Sequence, residues 1–171
     1  MKKLLIVLGI AFLSQNALAS AKTDWTPYLE PMLSGCESLN PVDDLPARYE
    51  SSIVSKTEFA DASESDISEY EGDIVTTFEL NNAIAFGQPL SKLEYLRGYE
   101  WSHLKLYFTE DTFMALRPRF KLPMSESDEQ MDEFITVMKN DTNGYAVDNG
   151  VGYTTLEFNR TEKSITCDSG L

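Results

Sequence analysis

Two cysteines, Cys36 and Cys167, lie 131 positions apart in this 171-residue chain. An exported chain with two cysteines usually joins them in a disulfide, because oxidising compartments favour that bond. In the chain-entropy treatment, closing so long a loop stabilises the fold by about 4 to 5 kcal/mol. We therefore predict a Cys36–Cys167 disulfide, and the alternative is two buried free thiols.

The first residues indicate export. Two lysines precede an apolar run at 4–13, and Ala-Leu-Ala follows at 17–19. This pattern predicts a signal peptide over 1–19, cleaved near Ala19, and a single exported globular domain over 20–171. The apolar run is shorter than the roughly 20 residues that a membrane helix needs, so we expect no membrane span. The predicted location is the periplasm of a Gram-negative bacterium, or the medium.

A second cysteine signal, LSGC at 33–36, has the form of a lipoprotein cleavage box. Such a box functions directly after the apolar segment of the leader, and here charged and turn-forming residues intervene: Lys22, Asp24, Pro27, Glu30 and Pro31. We therefore expect no lipid anchor on Cys36.

Charge narrows the range of partners. Removing residues 1–19 removes two lysines and no acid, so the formal net charge changes from −14 to −16. Nucleic acids and anionic membranes would repel such a chain over a Debye length of roughly 8 Å. A cationic protein partner fits this charge, although the charge also fits a role in solubility alone.

Hydrophobic spacing predicts a short helical segment first, because Trp25, Tyr28, Leu29, Met32 and Cys36 share one helical face. Period-two alternation then predicts a series of antiparallel strands, including a strand at 99–108 and a meander over 145–167. The segment before Gly98 fits either a hairpin arm, which we favour, or a short helix over 92–96 with a capping box at Ser91 and Glu94. Residues 40–46 form a loop, and 116–123 are extended.

One longer helix is also predicted. Ser127 and Gln130 form a capping box, and Met131, Phe134 and Met138 have helical spacing, so the helix covers about 128–139. The expected fold is α+β: a single domain in which a twisted antiparallel sheet of five to seven strands packs against this helix and a short N-terminal helical segment.

The strand at 99–108 carries the candidate binding site. Leu104, Leu106 and Phe108 point to one side, and the other side carries Tyr99, Trp101, His103, Lys105 and Tyr107. Aromatic residues of this kind often bind proteins or sugars. The alternative is that helix 128–139 or the N-terminal segment covers this side as a second core layer.

Catalytic and metal signals are weak. His103 is the only histidine and no G-x-S-x-G motif accompanies it, so we interpret it as structural. The segment DASESDISEYEG begins like a calcium loop with Asp61, Ser63 and Ser65, but Asp66 replaces the glycine and Gly72 replaces the glutamate. We expect no metal and no cofactor.

A basic group remains in the segment LRPRFKLP. Arg117, Arg119 and Lys121 alternate there, and they either bind an anion or pair with the protein's own acids. Taken together, the sequence predicts a non-enzymatic exported protein that binds another protein, as an inhibitor or immunity-type partner of a cationic wall-active enzyme. The alternative is a carrier of a small ligand or glycan on the aromatic strand, and a third candidate is a carboxylate-based hydrolase.

Overall fold

The computed structural model describes residues 22–37, 39–61, 73–123 and 135–171. Within these residues the chain forms nine strands: β1 Thr23–Asp24, β2 Ile53–Asp61, β3 Asp73–Ala85, β4 Gln88–Arg97, β5 Trp101–Phe108, β6 Thr136–Asp141, β7 Gly144–Asp148, β8 Tyr153–Asn159 and β9 Ser164–Gly170. The helical elements are short: α1 Thr26–Leu29 and the 3₁₀ helices Glu30–Leu33, Ala47–Ser52 and Asp111–Arg119.

All nine strands belong to one mixed sheet. Its order is β1-β3-β4-β5-β9-β8-β7-β6, and β2 also pairs with β3. The first part of β3 pairs with β2, and its last part pairs with β1. The β1–β3 pair is parallel, and all the other strand pairs, including β2–β3, are antiparallel. The predicted α+β fold, with five to seven strands packed on one main helix, is therefore wrong.

Much of this error comes from the helix predicted over 128–139. Residues 136–139 belong to β6, and 128–134 lie outside the described residues. Two β-branched residues, Thr136 and Val137, open β6, and the turn after it closes a hairpin with β7. In that turn the Asn143 amide donates to Asp141 Oδ1 at 2.7 Å, and Gly144 has a φ of 141°. This turn chemistry favours a hairpin over a continuing helix.

The remaining hairpins follow the sequence pattern more closely. The prediction of a strand before Gly98 is confirmed by β4, and the predicted meander is confirmed by β7, β8 and β9. Between β3 and β4 the turn consists of Phe86 and Gly87, with φ of 53° and 81°. Positive φ at both positions is what a two-residue hairpin of matching twist requires.

The core lies on one face of the sheet. The helical elements pack there, because Leu29, Met32, Tyr49, Phe113 and Leu116 join the same buried cluster as the inward side chains of the strands. Trp25 is fully buried in this cluster, and its Nε1–H donates to Ser52 Oγ at 3.0 Å. A buried tryptophan usually requires such an acceptor.

The N-terminal prediction agrees with this core, since Trp25, Leu29, Met32 and Cys36 are buried. The extended prediction for 116–123 is wrong in its first part, because residues 116–119 complete the 3₁₀ helix Asp111–Arg119 with Pro118 inside it. The short 3₁₀ turn buries Phe113 and Leu116, and the chain becomes extended at Phe120. Burial of these two side chains outweighs the local preference of the residue before proline.

The predicted disulfide is confirmed. Cys36 and Cys167 are bonded, with a Cα–Cα distance of 5.4 Å, so the N-terminal segment is tied to β9 in the middle of the sheet. This bond is compatible with an extracytoplasmic location. Residues 1–21, which include the predicted signal peptide, lie outside the described residues. None of the helices described is long and apolar enough to cross a membrane.

Candidate functional site

The second face of the sheet carries a mixture of charged, polar and aromatic side chains. Residues directly opposite each other in antiparallel strands point to the same side, so the register defines which side chains share this face. We call it the polar face, and its central residues are Glu94, Leu96, Trp101, His103, Lys105, Tyr107, Tyr153, Thr155, Glu157, Thr166 and Asp168. Of these, Leu96 is buried, and the others are partly or largely exposed.

The structure brings together four of the five predicted binding residues. Trp101, His103, Lys105 and Tyr107 lie along β5 on the polar face. Tyr99 does not, because β5 begins at Trp101 and Tyr99 lies in the preceding turn with 62% of its surface exposed. The covering layer that we considered for this face is not formed by the N-terminal segment, which packs into the core on the other side.

Glu94 on β4 is the centre of a hydrogen-bonded cluster on the polar face. Its Oε1 lies 3.3 Å from His103 Nε2, and its Oε2 accepts a hydrogen bond from Tyr107 Oη at 3.3 Å. The bond from His103 is the main reason that the pKa of Glu94 is lowered, and nearby Lys105 and Lys92 act in the same direction. Sequence reasoning missed Glu94, which the β4–β5 register places opposite Lys105.

The lysines of this face already have partners. Lys105 Nζ lies 2.7 Å from Glu162 Oε2, and Lys139 Nζ lies 3.6 Å from Asp141 Oδ2 at the far edge. Lys92 Nζ lies 3.7 Å from the centroid of the Tyr107 ring, a cation–π geometry. The positive charge here is therefore largely matched from within the protein.

Two of the central carboxylates of the polar face lack such a match. Among the described residues, Asp168 forms no ion pair, and its Oδ1 accepts a hydrogen bond from Tyr153 Oη at 3.4 Å. Burial raises the pKa of Asp168, and the nearby His103 lowers it by a smaller amount. Glu157, one strand away, accepts only a long hydrogen bond of 3.5 Å from Asn159 in this part of the chain. The unmatched charge is thus negative.

Two aromatic rings lie against glycines, Trp101 against Gly98 in the turn after β4 and Tyr153 against Gly170 of β9. A Cβ atom built on Gly98 would lie 2.3 Å from Trp101 Nε1, and one built on Gly170 would lie 2.7 Å from Tyr153 Cε1. The missing side chains therefore leave room for both rings to rest on the sheet. Trp101 also meets His103 edge to face, with ring centroids 6.3 Å apart. Sequence reasoning found Trp101 but missed Tyr153, whose signal is the alternation along β8.

The arginines of LRPRFKLP were expected either to bind an anion or to pair with the protein's own acids, and their contacts in the structure are of other kinds. Arg117 donates to the carbonyl oxygens of Phe120, Asp141 and Gly144 and to Asn140 Oδ1, at distances of 2.7 to 3.2 Å. Its guanidinium therefore holds the β6–β7 turn onto the 3₁₀ helix, and no acid pairs with it among the contacts described. Arg119 lies over the Phe86 ring at 5.4 Å.

A cavity of about 1430 Å³ opens on the core side, where Phe120, Leu122 and Val147 line it. Pro123 and Ile135 also line it, and they flank residues 124–134, which lie outside the described part of the chain. The acidic segment that we compared with a calcium loop lies mostly in 62–72, also outside it. We therefore place the candidate site on the polar face.

Fold and face together define a class: a single-sheet β protein with one buried face and one aromatic and charged face. The chain matches no protein-family model, and no curated protein or solved structure matches it. The function must therefore be argued from the residues of the polar face.

Proposed function

We propose that this is a non-enzymatic periplasmic protein that binds a cationic partner protein through its polar face. Inhibition of, or immunity to, a cationic wall-active enzyme is one role that suits such a protein. The observation that carries the proposal is the charge balance of the face. Lys105 and Lys139 are ion-paired within the protein and Lys92 lies over the Tyr107 ring, whereas Asp168 and Glu157 have no ionic partner among the described residues.

The composition of the face supports the same conclusion. Protein interfaces are enriched in tyrosine and tryptophan, which bring a large contact area with little side-chain entropy to lose. Trp101, Tyr107 and Tyr153 are partly exposed within one continuous surface. They sit on strands that are hydrogen-bonded on both sides, so the surface is rigid before a partner arrives. Preorganisation of this kind lowers the entropy cost of binding.

Overall charge adds to the attraction. The formal net charge, −14 for the full chain and −16 without residues 1–19, accelerates encounter with a basic protein, and this acceleration falls as salt screens the field. Retention of the partner should therefore depend on ionic strength. It should also depend on the aromatic residues of the polar face, which salt does not screen.

The test is affinity capture from an envelope extract, with the disulfide-bonded protein immobilised. We expect a basic protein to be retained at low salt and released at high salt. Trp101→Ala should weaken retention, whereas Tyr99→Ala, which removes an aromatic residue from the adjacent turn, should have little effect.

Three results would argue against the proposal. The first is the absence of a salt-sensitive protein partner. The second is an equal loss of retention in the Trp101 and Tyr99 variants, which would move the contact to the turn. The third is binding of wall glycan fragments in place of a protein, which would favour the ligand-carrier alternative.

A further inference from the structure

One part of the polar face combines a carboxylate with aromatic rings. Asp168 lies on β9 opposite His103 of β5, and Tyr153 of β8 donates to it at 3.4 Å. Trp101 lies next along β5 on the same face, in edge contact with His103. We call Trp101, His103, Tyr153 and Asp168 the aromatic–acid patch.

The charge of Asp168 determines which kind of ligand group this patch can bind. Asp168 is half-buried, and a carboxylate removed from water is stabilised by a positive group that also donates hydrogen bonds. His103 lies opposite Asp168 in the β5–β9 register, but its Nε2 is directed to Glu94 at 3.3 Å. Asp168 thus has hydrogen-bonding capacity left for a ligand.

The aromatic residues narrow the choice further. Guanidinium groups are planar, stack on aromatic rings and bind a carboxylate through two parallel N–H donors. The Tyr153 ring rests on Gly170 and its hydroxyl reaches Asp168. The Trp101 ring rests on Gly98 in the turn before β5, so both rings are held close to the sheet at the same end of the polar face. A lysine ammonium lacks the flat surface for stacking, and a neutral sugar would leave the charge of Asp168 unmatched.

We propose that the aromatic–acid patch receives an arginine side chain of the cationic partner, with Asp168 binding the guanidinium and Trp101 and Tyr153 contacting its flat faces. This inference rests on the proposed function and names the partner group that enters the polar face. Glu30 is an exposed acid of the short helix Glu30–Leu33, which packs on the core side of the sheet, and it therefore serves as a comparison outside the polar face.

The experiment is an NMR titration of the ¹⁵N-labelled, disulfide-bonded protein with the blocked peptide Gly-Arg-Gly, and with its lysine and citrulline analogues. The chain has two tryptophans, and Trp25 is fully buried with its Nε1–H bonded to Ser52. Its indole signal is an internal reference, and Trp101→Phe assigns the other signal. We expect the Trp101 signal to shift saturably with the arginine peptide while the Trp25 signal stays in place.

Four comparisons make the result specific. The lysine peptide should bind at least about threefold more weakly, and citrulline, which is neutral, should give no saturable shift. Asp168→Asn should weaken arginine binding by about tenfold or more, as expected for loss of a charge-assisted hydrogen bond. Glu30→Gln should change it by less than about twofold, since Glu30 is exposed and lies outside the polar face.

Equal shifts with arginine and citrulline, or equal losses in the Asp168 and Glu30 variants, would overturn the inference. Its failure can be separated from failure of the proposed function. If the arginine peptide does not bind but envelope capture depends on Trp101, the arginine site is wrong and the proposed function stands. If the peptide binds as expected but capture finds no basic partner, the arginine site stands and the proposed function is wrong.

Discussion

Tyr153 donates its hydroxyl hydrogen to Asp168 across the β8–β9 pair, with Oη 3.4 Å from Oδ1. This single bond does not offset the burial of the carboxylate, because the pKa of Asp168 is still raised, mainly by desolvation. The charged form of Asp168 is therefore unfavourable for folding. A carboxylate with this property on an exposed face is a candidate for binding a cation.

Replacing Asp168 should therefore stabilise the free protein. For an acid whose pKa is raised in the folded state, the charged form costs stability above that pKa, and the cost disappears as the pH falls through it. We expect Asp168→Asn to raise the urea midpoint at neutral pH, and the gain to vanish near about pH 3, where aspartate is protonated. The Asn side chain still accepts from Tyr153. A lower midpoint for this variant at neutral pH would show that Asp168 supports the fold.

Glu94 should behave in the opposite way. Its pKa is lowered, mainly by the hydrogen bond from His103, so its contribution is present at neutral pH and is lost as the pH falls through the folded-state pKa. Glu94→Gln should lower stability at neutral pH by about 1 kcal/mol, the usual size for such hydrogen bonds. The deficit should shrink in acid, as measured by urea unfolding across pH. A deficit independent of pH would mean that the charge of Glu94 is irrelevant.

The disulfide should carry a large share of the stability. Cys36→Ser combined with Cys167→Ser should lower the free energy of unfolding by about 2 to 5 kcal/mol, because it releases a long loop in the unfolded chain. Urea unfolding of the oxidised protein and of the double variant measures this difference. Two alkylatable thiols in the native protein without reductant would contradict the bond itself.

Substitution of two glycines by alanine distinguishes the cost of backbone strain from the cost of a steric clash. Gly144 and Gly87 both have positive φ, 141° and 81°, but a Cβ on Gly144 would lie 1.8 Å from the Leu156 carbonyl oxygen, whereas nothing lies within 4 Å of one on Gly87. Gly144→Ala should destabilise by roughly 3 kcal/mol or more, because the backbone of β8 must move. Gly87→Ala should cost only about 1 kcal/mol of strain. Equal losses by thermal unfolding would contradict this account of the β7–β8 pairing.

Arg117 should act as a structural residue. Arg117→Lys loses the planar fork that reaches the carbonyl oxygens of Phe120, Asp141 and Gly144, so we expect a loss of about 2 kcal/mol. Arg119→Lys keeps its charge near the Phe86 ring and should change stability by less than about 0.5 kcal/mol. If the two variants unfold alike, the four hydrogen bonds of Arg117 are not significant.

Local signals predicted part of this structure well. Alternation along β5 identified Trp101, His103, Lys105 and Tyr107 because a strand places every second residue on one side. The disulfide followed from chemistry alone. Tyr99 was placed wrongly because alternation does not show where a strand begins, and here the turn before β5 includes it.

The remaining errors have a different origin. The contact between Glu94 and His103 depends on the β4–β5 register. The contact between Tyr153 and Asp168 depends on the β8–β9 register. The register of paired strands is set by tertiary packing, so the sequence of one strand does not reveal it. The short β1 pairs with β3 across about sixty positions, which no local pattern indicates. The helix predicted at 128–139 rests on the helical spacing of its apolar residues. The β-branched Thr136 and Val137 and the turn at Asp141 to Gly144 favour a hairpin over the last part of that range.

The most direct test of the central claim is acrylamide quenching of tryptophan fluorescence, in the free protein and in its complex with the captured basic partner. Trp25 is fully buried and Trp101 is partly exposed, so the free protein should show one protected and one accessible tryptophan. We predict that partner binding protects Trp101 and leaves Trp25 unchanged. Equal quenching of Trp101 with and without the partner would show that the polar face is not the binding surface.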